Sequence, residues 1–101
     1  MNSLLKNHLD EIVILCQNYQ VKSLYAIGKS CEEDFTSNHE IDFLIDFVGL
    51  SEEMEMERTY KITYLLEKVF QHKVELIRWN DAEYLGILNE DSLSKILLFK
   101  K

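Results

Sequence analysis

The eight residues Glu40–Phe47, EIDFLIDF, alternate so regularly that they read as a β-strand with two unlike faces. Ile41, Phe43, Ile45 and Phe47 fall on one face, and Glu40, Asp42, Leu44 and Asp46 on the other. One face calls for an apolar cover, while the second presents acid. The rest of the chain has to supply that cover.

Residues 3–18 supply a helix, with Leu5, Leu9, Ile12 and Cys16 at helical spacing and Ser3 as its expected N-cap. Residues 21–27, VKSLYAI, read as a short strand ending at Gly28. A long helix is expected over residues 51–71, capped by Ser51 with Glu52 and Glu53 in its first turn, where the helix dipole favours negative charge. Its stripe of Ile62, Leu65, Leu66, Val69 and Phe70 is the strongest helical signal in the chain. A third strand, KVELIR at 73–78, puts Val74, Leu76 and Arg78 on one side and Glu75 and Ile77 on the other. From Asp81 onward short helices are expected, with Leu93, Ile96 and Leu97 packing and Asp91 as a candidate cap. The order helix–strand–strand–helix–strand–helix predicts an α/β (α+β) fold, a small mixed β-sheet with helices packed on it.

With 101 residues, no proline and three glycines, the chain reads as one domain over residues 1–101. Lys6, His8, Asp10 and Glu11 interrupt the first apolar segment, so no signal peptide is expected, and no uncharged run approaches a membrane span. Two cysteines, Cys16 and Cys31, lack metal-ligand spacing and suit a reducing cytoplasm. The net charge of −7 argues against a general nucleic-acid binder, which must neutralise phosphates with Lys and Arg. It leaves room for a polyanionic ligand carried in with Mg2+, or for a basic protein partner.

Two stretches offer phosphate chemistry. Gly28-Lys29-Ser30 looks like the tail of a P-loop, but that motif needs a glycine five residues earlier, where this chain has Ser23. Residues 24–27 also read as strand rather than loop, and Glu32 and Glu33 would repel phosphate, so the P-loop reading is rejected. Glu40 and Asp42, two apart on one strand face, could instead share a divalent cation. Glu75, among apolar neighbours on another strand, is costly there unless paired or metal-bound. Three acids on two neighbouring strands suit a two-metal phosphoryl-transfer site, although alternating acids on a strand are also common as a solvated face.

VKSLYAIG at 21–28, HEIDFLI at 39–45 and VEL at 74–76 together resemble the signature of the minimal nucleotidyltransferases, small relatives of the polymerase-beta superfamily. In that family a strand V-x-x-L-x-x-F ends in Gly-Ser. An Ala-Arg-Gly follows, then Ser-Asp-Ile-Asp-Leu-Leu-Val, and a third acid sits on a later V-D-L strand. The resemblance spans most of the chain, the leading helix and the final helical segment included. It implies a nucleotidyltransferase fold and Mg2+-dependent transfer of a nucleoside monophosphate from an NTP to an acceptor. Glu40, Asp42 and Glu75 would be the catalytic and metal-holding acids, and Gly28, Lys29 and Ser30 would bind the nucleotide. It also implies a partner, since members are often paired with a small helical HEPN-type protein as antitoxin and toxin. A homo-oligomer stays open.

The departures from the pattern point to weakened or lost activity. Lys29 stands in place of the family serine, Glu32 and Glu33 in place of Arg and Gly, and Glu40 and Glu75 in place of aspartates. Each longer acid displaces ligand oxygens from the near-ideal geometry that Mg2+ requires. Lys29 could reach the triphosphate as a point charge, or its ammonium could settle among Glu40, Asp42 and Glu75 in place of a metal; the second outcome is preferred. The alternative function is a non-catalytic, antitoxin-like binding module.

Secondary candidates are weaker. His39 reads as an exposed loop residue, and His8 and His72 as helix-surface and helix-end residues. Cys31 is expected to be unreactive because its loop is acidic. Trp79 and Tyr84 either form an apolar surface or close the core, the latter preferred. Met54 and Met56 with Tyr60 form either packing at a helix start or an adaptable contact patch.

Overall fold

A computed structural model describes residues 1–35, 38–89 and 93–101. The elements in order are α1 (Ser3–Asn7), α2 (Leu9–Asn18), β1 (Val21–Ile27), a 3-10 turn (Gly28–Cys31), β2 (Ile41–Phe47), α3 (Glu52–Phe70), β3 (Val74–Arg78), α4 (Trp79–Tyr84), a 3-10 turn (Ile87–Asn89) and β4 (Lys95–Lys100). The strands form one mixed sheet in the order β3-β2-β1-β4. β1 runs antiparallel to both β2 and β4, and β2 runs parallel to β3. The parallel pair follows from chain geometry. Parallel neighbours need a crossover, and α3 is that crossover.

The alternation in β2 works as read. Ile41, Phe43, Ile45 and Phe47 are buried with Ile12, Leu15 and Cys16 of α2 and Ile62, Leu66 and Phe70 of α3 in the main core. The other face is not left to acid, because Leu44 is fully buried there. It joins Ile27 and Ala82 in a second, smaller cluster, covered in part by Tyr25, Ile77, Trp79, Ile87, Leu88 and Leu93. Trp79 therefore closes a core as preferred, its ring 6.1 Å from that of Tyr25, whereas Tyr84 is 90% exposed.

Three local expectations need correction. The first helix is not continuous over 3–18. It breaks at His8, whose ring packs edge-on against Phe70 at 5.0 Å, and Asn2 rather than Ser3 provides the first cap by accepting from the Leu5 N–H. The chain does not end in helices. Ile96 and Leu97 lie on β4, which pairs with β1 along Ser23–Ile27. The short run KILLFK satisfies a strand as well as a helix turn, and the open edge of β1 decides between them. The candidate cap Asp91 lies outside the described residues.

The long helix agrees closely with expectation. Ser51 Oγ accepts from the Met54 N–H at 3.2 Å, three acids occupy the first turn, and Gln71 ends the helix in the left-handed conformation at φ 53°. Among the described residues, no helix is long and apolar enough to cross a membrane.

Candidate functional site

Backbone pairing delivers the three acids to one place. The parallel register sets Asp42 opposite Glu75, and Glu40 precedes β2 on the same side. One ligand oxygen from each of Glu40, Asp42 and Glu75 lies within 4.8 Å of the others. The start of β2 is held from two directions. The Ile41 N–H donates to the Lys73 carbonyl at 3.0 Å, and His72 Nε2 meets the His39 carbonyl, so the loop before β3 fixes Glu40. On the other side the Asp42 N–H donates to Ser30 Oγ at 2.8 Å, tying the strand to the 3-10 turn after β1.

Asp42 carries the electrostatic load. Burial, then the charges of Glu75 and Glu40, push its carboxyl up to about 6. Its Oδ1 is buried and accepts no hydrogen bond. An acceptor left bare beside two further carboxylates is a set of hard oxygen donors, and such a set fits a divalent cation.

The turn that should hold phosphate is otherwise engaged. Gly28 adopts φ +62°, which the tight turn requires, but its N–H donates to the Ser94 carbonyl at 3.0 Å. Ser30 is buried, and its hydroxyl is occupied by the Asp42 N–H. Lys29 is exposed and makes no ion pair among the described residues. The preferred expectation for Lys29 therefore fails, because its ammonium does not sit among the three acids. The 3-10 turn aims it into solvent, and the cation beside the acids is Lys73, 3.2 Å from Glu40. Both of those side chains are largely exposed, so the pair leaves Asp42 and Glu75 uncompensated.

Two contributors escaped the sequence reading. Asn2 is buried, and its Nδ2 donates to the Ser30 carbonyl at 2.8 Å and the Glu32 carbonyl at 3.0 Å, bracing the turn beneath Asp42. No local pattern flags it, since its partners lie 28 and 30 residues away. Lys73 could have been found, because it immediately precedes the strand that carries Glu75. The Cys31 thiol is raised, as expected but for another reason: burial pushes it up, and Sγ donates to the Ala26 carbonyl at 3.2 Å. His39 is exposed as expected.

A family described as "Nucleotidyltransferase domain" matches residues 12–101. No curated protein sequence matches the chain. Among solved structures, a chain in the crystal structure of a mutant of the toxin–antitoxin pair MntA–HpeT is similar, with TM-score 0.60 and 15% identity over 92% of this chain and 73% of that one. A chain in the structure of a tri-AMPylated Shewanella oneidensis HEPN toxin in complex with MNT antitoxin gives TM-score 0.58 and 15% identity over 95% and 72%. At that identity the likeness establishes the fold.

Proposed function

This chain belongs to the nucleotidyltransferase-domain family, and on that premise we propose that it is a slow, Mg2+-dependent nucleotidyl-transfer module of antitoxin type, whose acceptor is a small helical HEPN-type partner. The observation that carries the reading is Asp42 Oδ1, buried without a hydrogen bond inside a cluster of three carboxylates. Glu40 and Asp42 would hold the cation, which when bound supplies charge neutralisation to an incoming triphosphate. Glu75, exposed on β3 beside the other two acids, would take the proton of an acceptor hydroxyl. That oxygen bonds to the α-phosphorus as the bond to pyrophosphate breaks.

Slowness follows from the turn after β1. The Gly28 N–H donates within the chain and the Ser30 side chain is buried against the Asp42 N–H, so Lys29 is the exposed side chain of this turn that would meet phosphate. Glu32 and Glu33, both exposed nearby, oppose the approach of a triphosphate. The HEPN toxin of one structural neighbour is AMPylated in complex with its MNT antitoxin, which motivates the acceptor.

The same engaged turn favours a second reading, a binding module that retains the cation site and the partner without turnover. One experiment separates the two. Purified chain is titrated with Mg2+ by calorimetry, then incubated with labelled ATP, with and without a purified helical HEPN-type protein as acceptor. Label on the partner that requires Mg2+ and disappears in Asp42→Asn supports transfer. Mg2+ binding and complex formation without label supports the binding module. A wild-type chain that takes up no divalent cation sinks both.

A further inference from the structure

Helix α3 is 19 residues long and buries only one side. Ile62, Leu66 and Phe70 face the main core, while Glu53, Glu57, Tyr60, Tyr64 and Lys68 form a continuous exposed stripe at spacings of four and three residues. This stripe is unusual for a solvent face. Tyr60 is 76% exposed, Tyr64 52% and Met54 41%. With Tyr19, these side chains line a shallow cleft of about 550 Å³. Contiguous exposed aromatic and methionine surface of this kind marks an interaction site.

The charges say what fits it. Going along α3, the outward acids Glu53 and Glu57 come first, Tyr60, Lys61 and Tyr64 occupy the middle, and Lys68, its ammonium 4.8 Å from the centre of the Tyr64 ring, comes last. None of these four charges makes an ion pair within the chain, among the described residues. A helix that is acidic at its start, aromatic at its centre and basic towards its end complements its own reversed copy. We infer that α3 is a self-association surface, on which a second copy of this chain packs antiparallel about a two-fold axis near residues 62–63. Glu57 of each copy then faces Lys68 of the other, Lys61 lies against Tyr64, and the tyrosines fill the seam. Such an isologous contact closes on itself as a dimer.

The pairing is independent of the transfer reading. Alternation in β2 sends Asp42 to the face opposite the one α3 covers, so a dimer through α3 leaves the carboxylates open.

The test is a charge swap read by sedimentation equilibrium at micromolar concentrations, with no nucleotide or divalent cation present. The wild-type chain is expected to be a dimer. Glu57→Lys alone and Lys68→Glu alone place like charges across the axis and should each weaken association by roughly tenfold or more. The double variant, with both charges exchanged, should restore it. Tyr60→Glu, at a side chain in water in the single chain, should give a folded monomer by circular dichroism. A wild-type monomer throughout, a dimer that survives Tyr60→Glu, or a double variant no better than the single reversals would each overturn the inference.

Discussion

On one side of the sheet, three helices seal a core that runs from Leu5 through Phe43 and Ile62 to Leu98, with Ile12, Ile41, Phe43, Ile62 and Leu66 wholly removed from water. On the other side, one short helix, through Ala82, and a turn cover Ile27 and Leu44, and the cover stops before Asp42. The same strand, β2, faces both environments. The first side holds the fold together. The second spends part of that stability on holding three like charges close, so a site of this kind needs a strong core behind it.

The largest effect that tests this contrast is a truncation on each side. Phe43→Ala should cost about 4 kcal/mol, because it removes a fully buried ring and leaves a cavity in the main core. Trp79→Ala on the thin side should cost about half as much, since its ring is only partly buried. Urea unfolding of both variants measures the difference, and equal losses would show that the two sides carry equal weight.

A divalent cation should act on the thin side alone. Mg2+ at about a hundred times its dissociation constant adds about 2.7 kcal/mol to the wild-type chain. Asp42→Asn should show almost none of that gain in a thermal melt.

Without cations the same substitution reverses sign. The unfolded chain releases the Asp42 proton near 3.8 and the folded chain near 6, so between those values the folded state holds more protons and stability falls as pH rises. Asp42→Asn should therefore be more stable than wild type at pH 7 in EDTA, by about 1 kcal/mol once solvent screening at this half-open position is counted. That advantage should fade below about pH 4. A variant less stable than wild type at pH 7 would mean that Asp42 is favourably paired.

The smallest effect belongs to Lys73. Its pair with Glu40 is exposed, so Lys73→Ala should cost under about 1 kcal/mol, while calorimetry should find Mg2+ bound more tightly once the competing ammonium is gone.

The strand pattern of EIDFLIDF and the stripe of α3 survive almost unchanged, because each is a long periodic signal dictated by a single large core. The adjacency of Asp42 and Glu75 was legible for the same reason: two strands joined by one crossover helix become parallel neighbours. Leu44 lies on the acidic face as read, but its cover was not legible, because the element that buries it, α4, has only six residues and no strong stripe. KILLFK hid its strand because four consecutive apolar residues carry no period. Lys29 was placed by proximity in the chain, whereas the direction of a long side chain on a tight turn is set by tertiary bonds at Gly28 and Ser30.

Glu75 stands on β3, which bonds to β2 on one flank only among the described residues. Beyond the Val74 N–H, which donates to Glu67 Oε2 at 3.1 Å, its outer flank has no strand to bond, and a border strand frays more freely than the interior of a sheet. Each time it peels away, the third carboxylate departs from the other two. A cation held at Glu40 and Asp42 would attract the Glu75 carboxylate and steady that border against the interior, so slower deuterium uptake along residues 74–78 would report its arrival without any turnover being measured.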